Sequence, residues 1–309
     1  MALIDVHCAP LLVRYRAGIF SRASLFTLAC LLLTCICPLL IAYRSHGLWP
    51  RTASYVEQPR VTFRHEVLLM LHLQQSDQFL AWSTFQNLNG MLGDSLRIPL
   101  VKANEEDRNR DGKFDVLHFS LEMPLASSEV VLSADLLLTF SYQLHRMATV
   151  KLQGMMYASH SSPLPGSELH VNGDLMLTQR QPLPHRGLDV RYDVAVINGS
   201  SPFTEAYDIP LIIRAYQERN VTTRLDNSVK VWRVGSEASN SFRIAVLLRY
   251  PEQTIVYQPG FWEMMKAGWV QYVSILLPFI WLFTRIKDFV FQNQVLSTIP
   301  KHPVKQHHA

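Results

Sequence analysis

The chain has 309 residues, 29 basic and 25 acidic side chains, a formal charge of +4 and 48% hydrophobic residues. Its surplus of positive charge is confined to the ends: Arg14, Arg16 and Arg22 oppose Asp5 in the first 22 residues, and Arg285, Lys287, Lys301 and Lys305 oppose Asp288 in the last 25. Residues 44–266 carry a net −1, so no domain-sized basic surface exists and nucleic-acid binding is excluded as the reason for the basic balance.

In chain order, residues 1–22 form a short basic tail. From Ala23 to Tyr43 no charge interrupts the sequence, and Arg22 and Arg44 bracket the run. At ~1.5 Å per residue such a run crosses the ~30 Å hydrocarbon layer as one helix. It is longer than a signal-peptide core and no small-x-small site follows it before Arg44, so an uncleaved anchor over 23–43 is expected. Cys30, Cys35 and Cys37 lie inside this run and Cys8 precedes it; none of the four cysteines falls later. A folded region over 44–266 must therefore depend on a hydrophobic core rather than on disulfides.

That central region alternates like β structure. Val61, Phe63, His65, Val67 and Leu69 share one parity, and Phe242, Ile244, Val246, Leu248 and Tyr250 repeat the pattern, as do Leu188, Val190, Tyr192, Val194 and Val196. A period of two marks strands with one buried face. Further strands are expected over 116–123, 130–141, 150–159, 169–178 and 229–234, with turns at Asp111-Gly112, Asn172-Gly173 and Pro163-Leu164-Pro165-Gly166. About nine strands predict a β-sandwich, of jelly-roll type. Asp208 and Pro210 predict the start of a short helix running toward Gln217.

The polar run from Glu105 to Asp115 places Asp107, Asn109, Asp111, Gly112 and Asp115 at positions 1, 3, 5, 6 and 9 of a calcium loop. Alternating oxygens wrap a hard cation and glycine allows the bend, so a structural calcium site is one reading. Position 12, normally a bidentate glutamate, is His118, and the flanks alternate like strands. A solvated Asp-Gly turn is the other reading. The histidines show no metal spacing, and phosphate loops, nucleophile elbows and paired-cysteine sites are missing. The sequence therefore offers no catalytic residues, and no further cofactor is expected.

Asn198-Gly199-Ser200 and Asn220-Val221-Thr222 are glycosylation sequons in the central region, with Asn220 the better acceptor by sequence. Ala267 to Thr284 is a second uncharged run, ending at Arg285 and Lys287. Trp262, Lys266, Trp269 and Trp281 join Arg285 and Lys287 as expected membrane-interface residues. The expected organisation is thus a tail over 1–22, a span over 23–43, an extracytoplasmic β domain over 44–266, a span over 267–284 and a tail over 285–309. Both basic tails are expected to face the cytosol.

Irregular segments carry a resemblance to one family. They include Tyr43-Arg44-Ser45-His46-Gly47, Glu57-Gln58-Pro59, Ala81-Trp82-Ser83-Thr84-Phe85, Glu105 through Lys113, Thr139 through Thr149 and Tyr216 through Thr223. Tyr257 through Met264, Trp269 through Leu277 and Phe291 through Pro300 continue them. In these stretches the chain resembles the transmembrane protein 231 family of the ciliary transition zone. The resemblance implies a non-enzymatic role in the Meckel-type membrane complex, alongside tectonic proteins, B9-domain proteins and other transition-zone membrane proteins. It further implies a part in the gate controlling ciliary membrane composition, in ciliogenesis and in Hedgehog signalling. The residues themselves also suit a ligand-binding module or an accessory subunit of a receptor or channel.

Overall fold

The computed structural model describes residues 13–45, 48–75, 78–235 and 241–301. Cys8, His46-Gly47, Lys305 and His307-His308 lie outside the described residues. The chain divides into two compact units, Thr52–Gln258 and the two terminal segments that flank it.

In the terminal unit, β1 (Arg14–Arg16) precedes α1 (Arg22–Arg44), and α4 (Phe261–Gln292) precedes β14 (Ile299–Lys301). Ser21 begins α1 by accepting the Ser24 N–H at its side chain. Both helices are long and apolar enough to cross a membrane. At 32 residues, α4 outruns the expected 267–284 span at each end, beginning at Phe261 and ending at Gln292.

The central unit is mainly β. Its strands are β2 (Ala53–Glu57), β3 (Arg60–Leu73), β4 (Phe79–Ser83), β5 (Leu100–Glu106), β6 (Val116–Pro124), β7 (Val131–Leu144) and β8 (Thr149–Ser161). They continue with β9 (Gly166–Gln179), β10 (Leu188–Tyr192), β11 (Val221–Val234), β12 (Ser241–Arg249) and β13 (Gln253–Tyr257). Helix α2 (Gln86–Met91) follows β4, and α3 (Ile209–Gln217) follows β10. One sheet has the order β10-β8-β7-β3-β4 and the other β11-β9-β12-β6-β5, while β13 pairs with β2. The expected sandwich is present, with β8/β10 and β9/β12 parallel and the other pairings antiparallel.

Both inner faces share one core, in which Phe63 of the first sheet meets Phe119 of the second at 5.9 Å between ring centres. The first sheet is also buried on its outer face. Leu68, Leu137 and Met155 lie there under Ile209, Ile212 and Tyr216 of α3. The i, i+3, i+7 spacing of those three residues presents one helical stripe to the sheet. Asp208 occupies the N-cap position of α3 without a side-chain cap bond; Pro210 at the first turn needs no donor partner there.

The central unit holds twelve strands among the described residues rather than about nine, and two segments differ from their expected form. Asn172-Gly173 is no turn but the middle of β9: a Cβ at Gly173 would sit 2.5 Å from Leu225 Cδ1 of β11, so glycine makes room for a neighbouring side chain. Opposite it β11 bulges, with Asn227 at φ 46°. The alternation beginning at Leu188 stops as a strand at Tyr192, because the carbonyls of Val194 and Ala195 turn to the Arg219 guanidinium instead of a strand.

Beyond Leu152, no strand among the described residues pairs with β8 on the side where β10 ended. Side chains close that edge. Thr223 Oγ1 accepts the Met155 N–H at 2.7 Å and donates to the Met155 carbonyl at 2.9 Å. Tyr216 Oη accepts the Thr223 N–H at 2.7 Å, and Lys230 Nζ donates to the Ser159 carbonyl at 2.6 Å. Gly154 permits the approach, since a Cβ there would lie 2.8 Å from Thr223 Oγ1. Replacing Thr223 with valine keeps the shape and removes both hydroxyl bonds. It should cost about 1–3 kcal/mol in denaturation of the purified chain, with Thr223→Ser retaining most stability.

A bulge in β3, with His65 at φ 59°, leaves the Phe63 N–H outside the ladder. Glu105 Oε1 accepts it at 2.8 Å and also accepts the Tyr250 hydroxyl at 3.3 Å. Burial raises the Glu105 pKa above its ordinary 4.5, against the opposing pull of those two hydrogen bonds. A raised folded pKa gives a contribution present below the ordinary value and lost as pH rises through the folded one. Glu105→Gln keeps both acceptor contacts, so thermal melts across pH 4–7 should lose part of their pH slope and rise at neutral pH.

Candidate functional sites

The first candidate is the helical hairpin. The backbones of β1 and β14 pair antiparallel, with Tyr15 opposite Pro300, and Tyr15 stacks on Phe291 at 5.9 Å. The segments before α1 and after α4 therefore meet at one end of the hairpin. At its other end Gly268 packs so close to Leu48 that a Cβ would lie 3.1 Å from the Leu48 carbonyl oxygen. Ala23, Cys30, Pro38 and Ala42 form the buried stripe of α1. Small side chains let two helices approach closely in lipid. Cys30 is buried and Cys35 exposed on the same helix.

The hydroxyls of Thr27, Thr34 and Ser274 donate to carbonyls of their own helices. They are thereby spent locally rather than across the hairpin. Trp262, Trp269 and Trp281 are exposed on α4. Trp262 and Trp281 lie about 28 Å apart along the axis, matching the hydrocarbon layer, and Trp269 lies about 10 Å inboard of Trp262. Lys266 and Arg285 are exposed and Lys287 half-buried.

The second candidate is the β5–β6 loop, which holds Asp107, Asn109, Asp111 and Asp115. Asp107 accepts the N–H groups of Arg110 and Gly112 at 2.6 and 2.9 Å. Asn109 Oδ1 accepts the Asp111 N–H, and Asp111 Oδ1 accepts that of Lys113. Asp115 accepts the Arg108 and Asn109 N–H groups and the Gln58 amide. Burial acts to raise the Asp115 pKa, but those hydrogen bonds outweigh it and hold the carboxyl below its ordinary value. Among the described residues no group of three or more His, Cys, Asp or Glu is placed to hold a metal ion. His118, at position 12, lies on β6 with Nε2 3.4 Å from Glu106.

Of the sequon residues, Asn198 is exposed in the loop after β10. Asn220 is half-buried and its Nδ2, the atom that would carry a glycan, donates to Gln181 Oε1 at 3.2 Å. Accessibility thus ranks the two in the reverse of their sequence order.

The third candidate, unseen in the sequence, is the outer face of the β11-β9-β12-β6-β5 sheet. Lys102, His118, His170 and Leu247 border a shallow groove of about 440 Å³, with Ser120 and Ala245 at its floor. Paired charges flank it: Arg233 lies 3.1 Å from Glu168, Arg243 3.7 Å from Glu122, and Arg249 2.6 Å from Asp174. Register was the missing information, since the rows draw one residue from each of several strands.

The acidic loop satisfies its carboxylates with its own backbone. Millimolar calcium should accordingly leave the melting midpoint of the chain unchanged; a saturable upward shift, abolished by Asp107→Asn, would establish a calcium site.

Comparison with known proteins covers almost the whole chain. The family model described as Transmembrane protein 231 matches residues 1–300. Transmembrane protein 231 of Homo sapiens is 58% identical over 301 residues, 97% of this chain and 95% of the relative. The protein of that name in Mus musculus is 56% identical over 301 residues, covering 97% and 96% of the two chains. That of Gallus gallus is 51% identical over 306 residues, covering 98% and 96%. With its two spanning helices and its β-sandwich, this chain belongs to the transmembrane protein 231 family.

Proposed function

We propose that the chain is a non-catalytic membrane subunit of the ciliary transition-zone complex. In that role it helps form the diffusion barrier that sets ciliary membrane composition, and supports ciliogenesis and Hedgehog signalling. The observation that carries the proposal is family membership along nearly the full length, joined to a fold whose two anchors flank one large domain. Tectonic proteins, B9-domain proteins and other transition-zone membrane proteins are the partners. The work is assembly, with no bound metal or cofactor required.

In the proposed topology the basic tails face the cytosol and the sandwich lies on the opposite side, where Asn198 and Asn220 meet the glycosylation machinery. Two anchors on one domain restrict its tilt and raise the effective concentration of its surfaces for partners in the same bilayer.

Proximity labelling of the endogenous protein in ciliated cells provides the test. Tectonic and B9-domain neighbours should dominate beside the basal body, and Asn198→Gln should remove a glycan shift. A uniform plasma-membrane signal without those neighbours would sink the assignment, whereas an unshifted glycan pattern would correct the topology alone. The groove floored by Ser120 and Ala245 favours a ligand-binding module as the second reading, in which small-molecule occupancy rather than complex assembly would respond to its mutation.

A further inference from the structure

The outer face of the second sheet has a charge order with a symmetry of its own. One cross-strand row reads Arg233, Glu168, Arg243, Glu122 from β11 through β9 and β12 to β6. Its signs run plus, minus, plus, minus, so reading the row backwards inverts every sign. Three rows along the same strands, Asp174 of β9 stands beside Arg249 of β12 and repeats the minus, plus order of Glu168 and Arg243. The two rows between contain no acidic or basic residue on these four strands other than His170 and His118.

Consider a second copy laid face to face on the first, related by a twofold axis parallel to the strands and midway between β9 and β12. That axis reverses each row without displacing it along the strands. Arg233 then faces Glu122 of the second copy, Glu168 faces Arg243, and Asp174 faces Arg249. Each of these six charges meets its opposite, while Asp226 of β11, beside Asp174 in the second row and paired with Arg224 of its own strand, faces the uncharged Val116. An in-plane axis running across the strands through the first row would instead set Arg243 on Arg243 and Glu168 on Glu168, which is repulsive. In the row next to the first, Val231 faces Ser120 and His170 faces Ala245. These mostly small side chains allow the ~10 Å approach of aligned sheets.

We propose that this open sheet face is a self-association surface whose occupant is a second copy of the chain, docked isologously about that axis. Charges that pair only within one copy when alone become shared four-charge clusters at both ends of the groove. Arg233, Arg243 and Arg249 have side chains 65%, 56% and 47% exposed, so they are available for this sharing. Four strands at ~4.8 Å by four rows at ~7 Å give about 500 Å² per copy, or about 1,000 Å² in all. That is the lower limit for a specific interface, and the association is correspondingly weak, in the micromolar range or above.

The absence of cysteine from residues 38–309 makes thiol mapping direct. Full chains in detergent, one tagged and bearing Val231→Cys, the other differently tagged and bearing Ser120→Cys, are mixed with a short thiol cross-linker. The expected product joins position 231 to position 120 between tags. Pairs of Val231→Cys copies should give none at those positions, because their side chains stand about 14 Å apart across three strand spacings. Arg243→Glu should lower the adduct and the sedimenting dimer at least tenfold, and adding Glu168→Arg should restore both. Thermal midpoints of each variant identify any loss that comes from unfolding, and the restored double variant guards against it. A monomer at every concentration without the 231–120 product, a dimer insensitive to Arg243→Glu, or cross-links joining 231 to 231 would each overturn the proposal. A monomer would leave the face to a different protein.

Discussion

The sandwich depends on how the free edge of β8 is closed. A parallel strand covers that edge only as far as Leu152, after which buried peptide groups of the first sheet need partners. Thr223 and Lys230 of β11 supply them, and Tyr216 and Arg219 brace the joint from α3 and the turn that follows it. One short stretch, Tyr216 through Thr223, thereby fastens α3 to the outside of the first sheet and starts an outer strand of the second. The glycine at 154 is the complementary half of the same device, because only a residue without Cβ lets the threonine hydroxyl reach the neighbouring Met155 backbone.

The terminal unit answers a different constraint. Within lipid, backbone groups must be satisfied inside each helix, leaving side-chain fit as the means of pairing. The α1 stripe of Ala23, Cys30, Pro38 and Ala42 and the α4 contact at Gly268 provide that fit without ionised groups. Outside the apolar stretch, the backbone pairing of β1 with β14 ties the two ends of the hairpin together. The cysteines belong to this unit alone, and the sandwich is held by packing and hydrogen bonds.

Strands with one dry and one wet face were legible from sequence. Thus β6 and β12 alternate almost without error. The edge strand β5 was not legible, because most of Leu100–Glu106 is exposed on both faces and its alternation disappears. In β3 the period fails for the opposite reason: Val67, Leu68 and Leu69 are all buried, since α3 covers the outer face. The first half of β11 hid because Thr222, Thr223 and Asp226 are polar, although Thr223 is among the most buried polar residues. For function, the acidic loop drew notice through local spacing. The charged rows of the open face did not, because Arg243 and Glu168 become neighbours only through the parallel pairing of β12 with β9.

The short pair β2 and β13 sets the chain's mechanical behaviour. Ala53, where the polypeptide enters the sandwich, lies opposite Tyr257, where it departs. Tension between the two anchors would thus pull on the same end of an antiparallel ladder, opening it like a zipper rather than shearing all its bonds together. The bonds from Ala53–Tyr257 to Glu57–Gln253 would be loaded in turn, together with those that tie β13 to β9 and Leu183, where Gln253 bonds Leu175 and Leu177 and the Leu183 N–H donates to the Val256 carbonyl. Force on the two ends would thus meet the β2–β13 ladder first and pass to β9 through the Gln253 and Gln179 side chains.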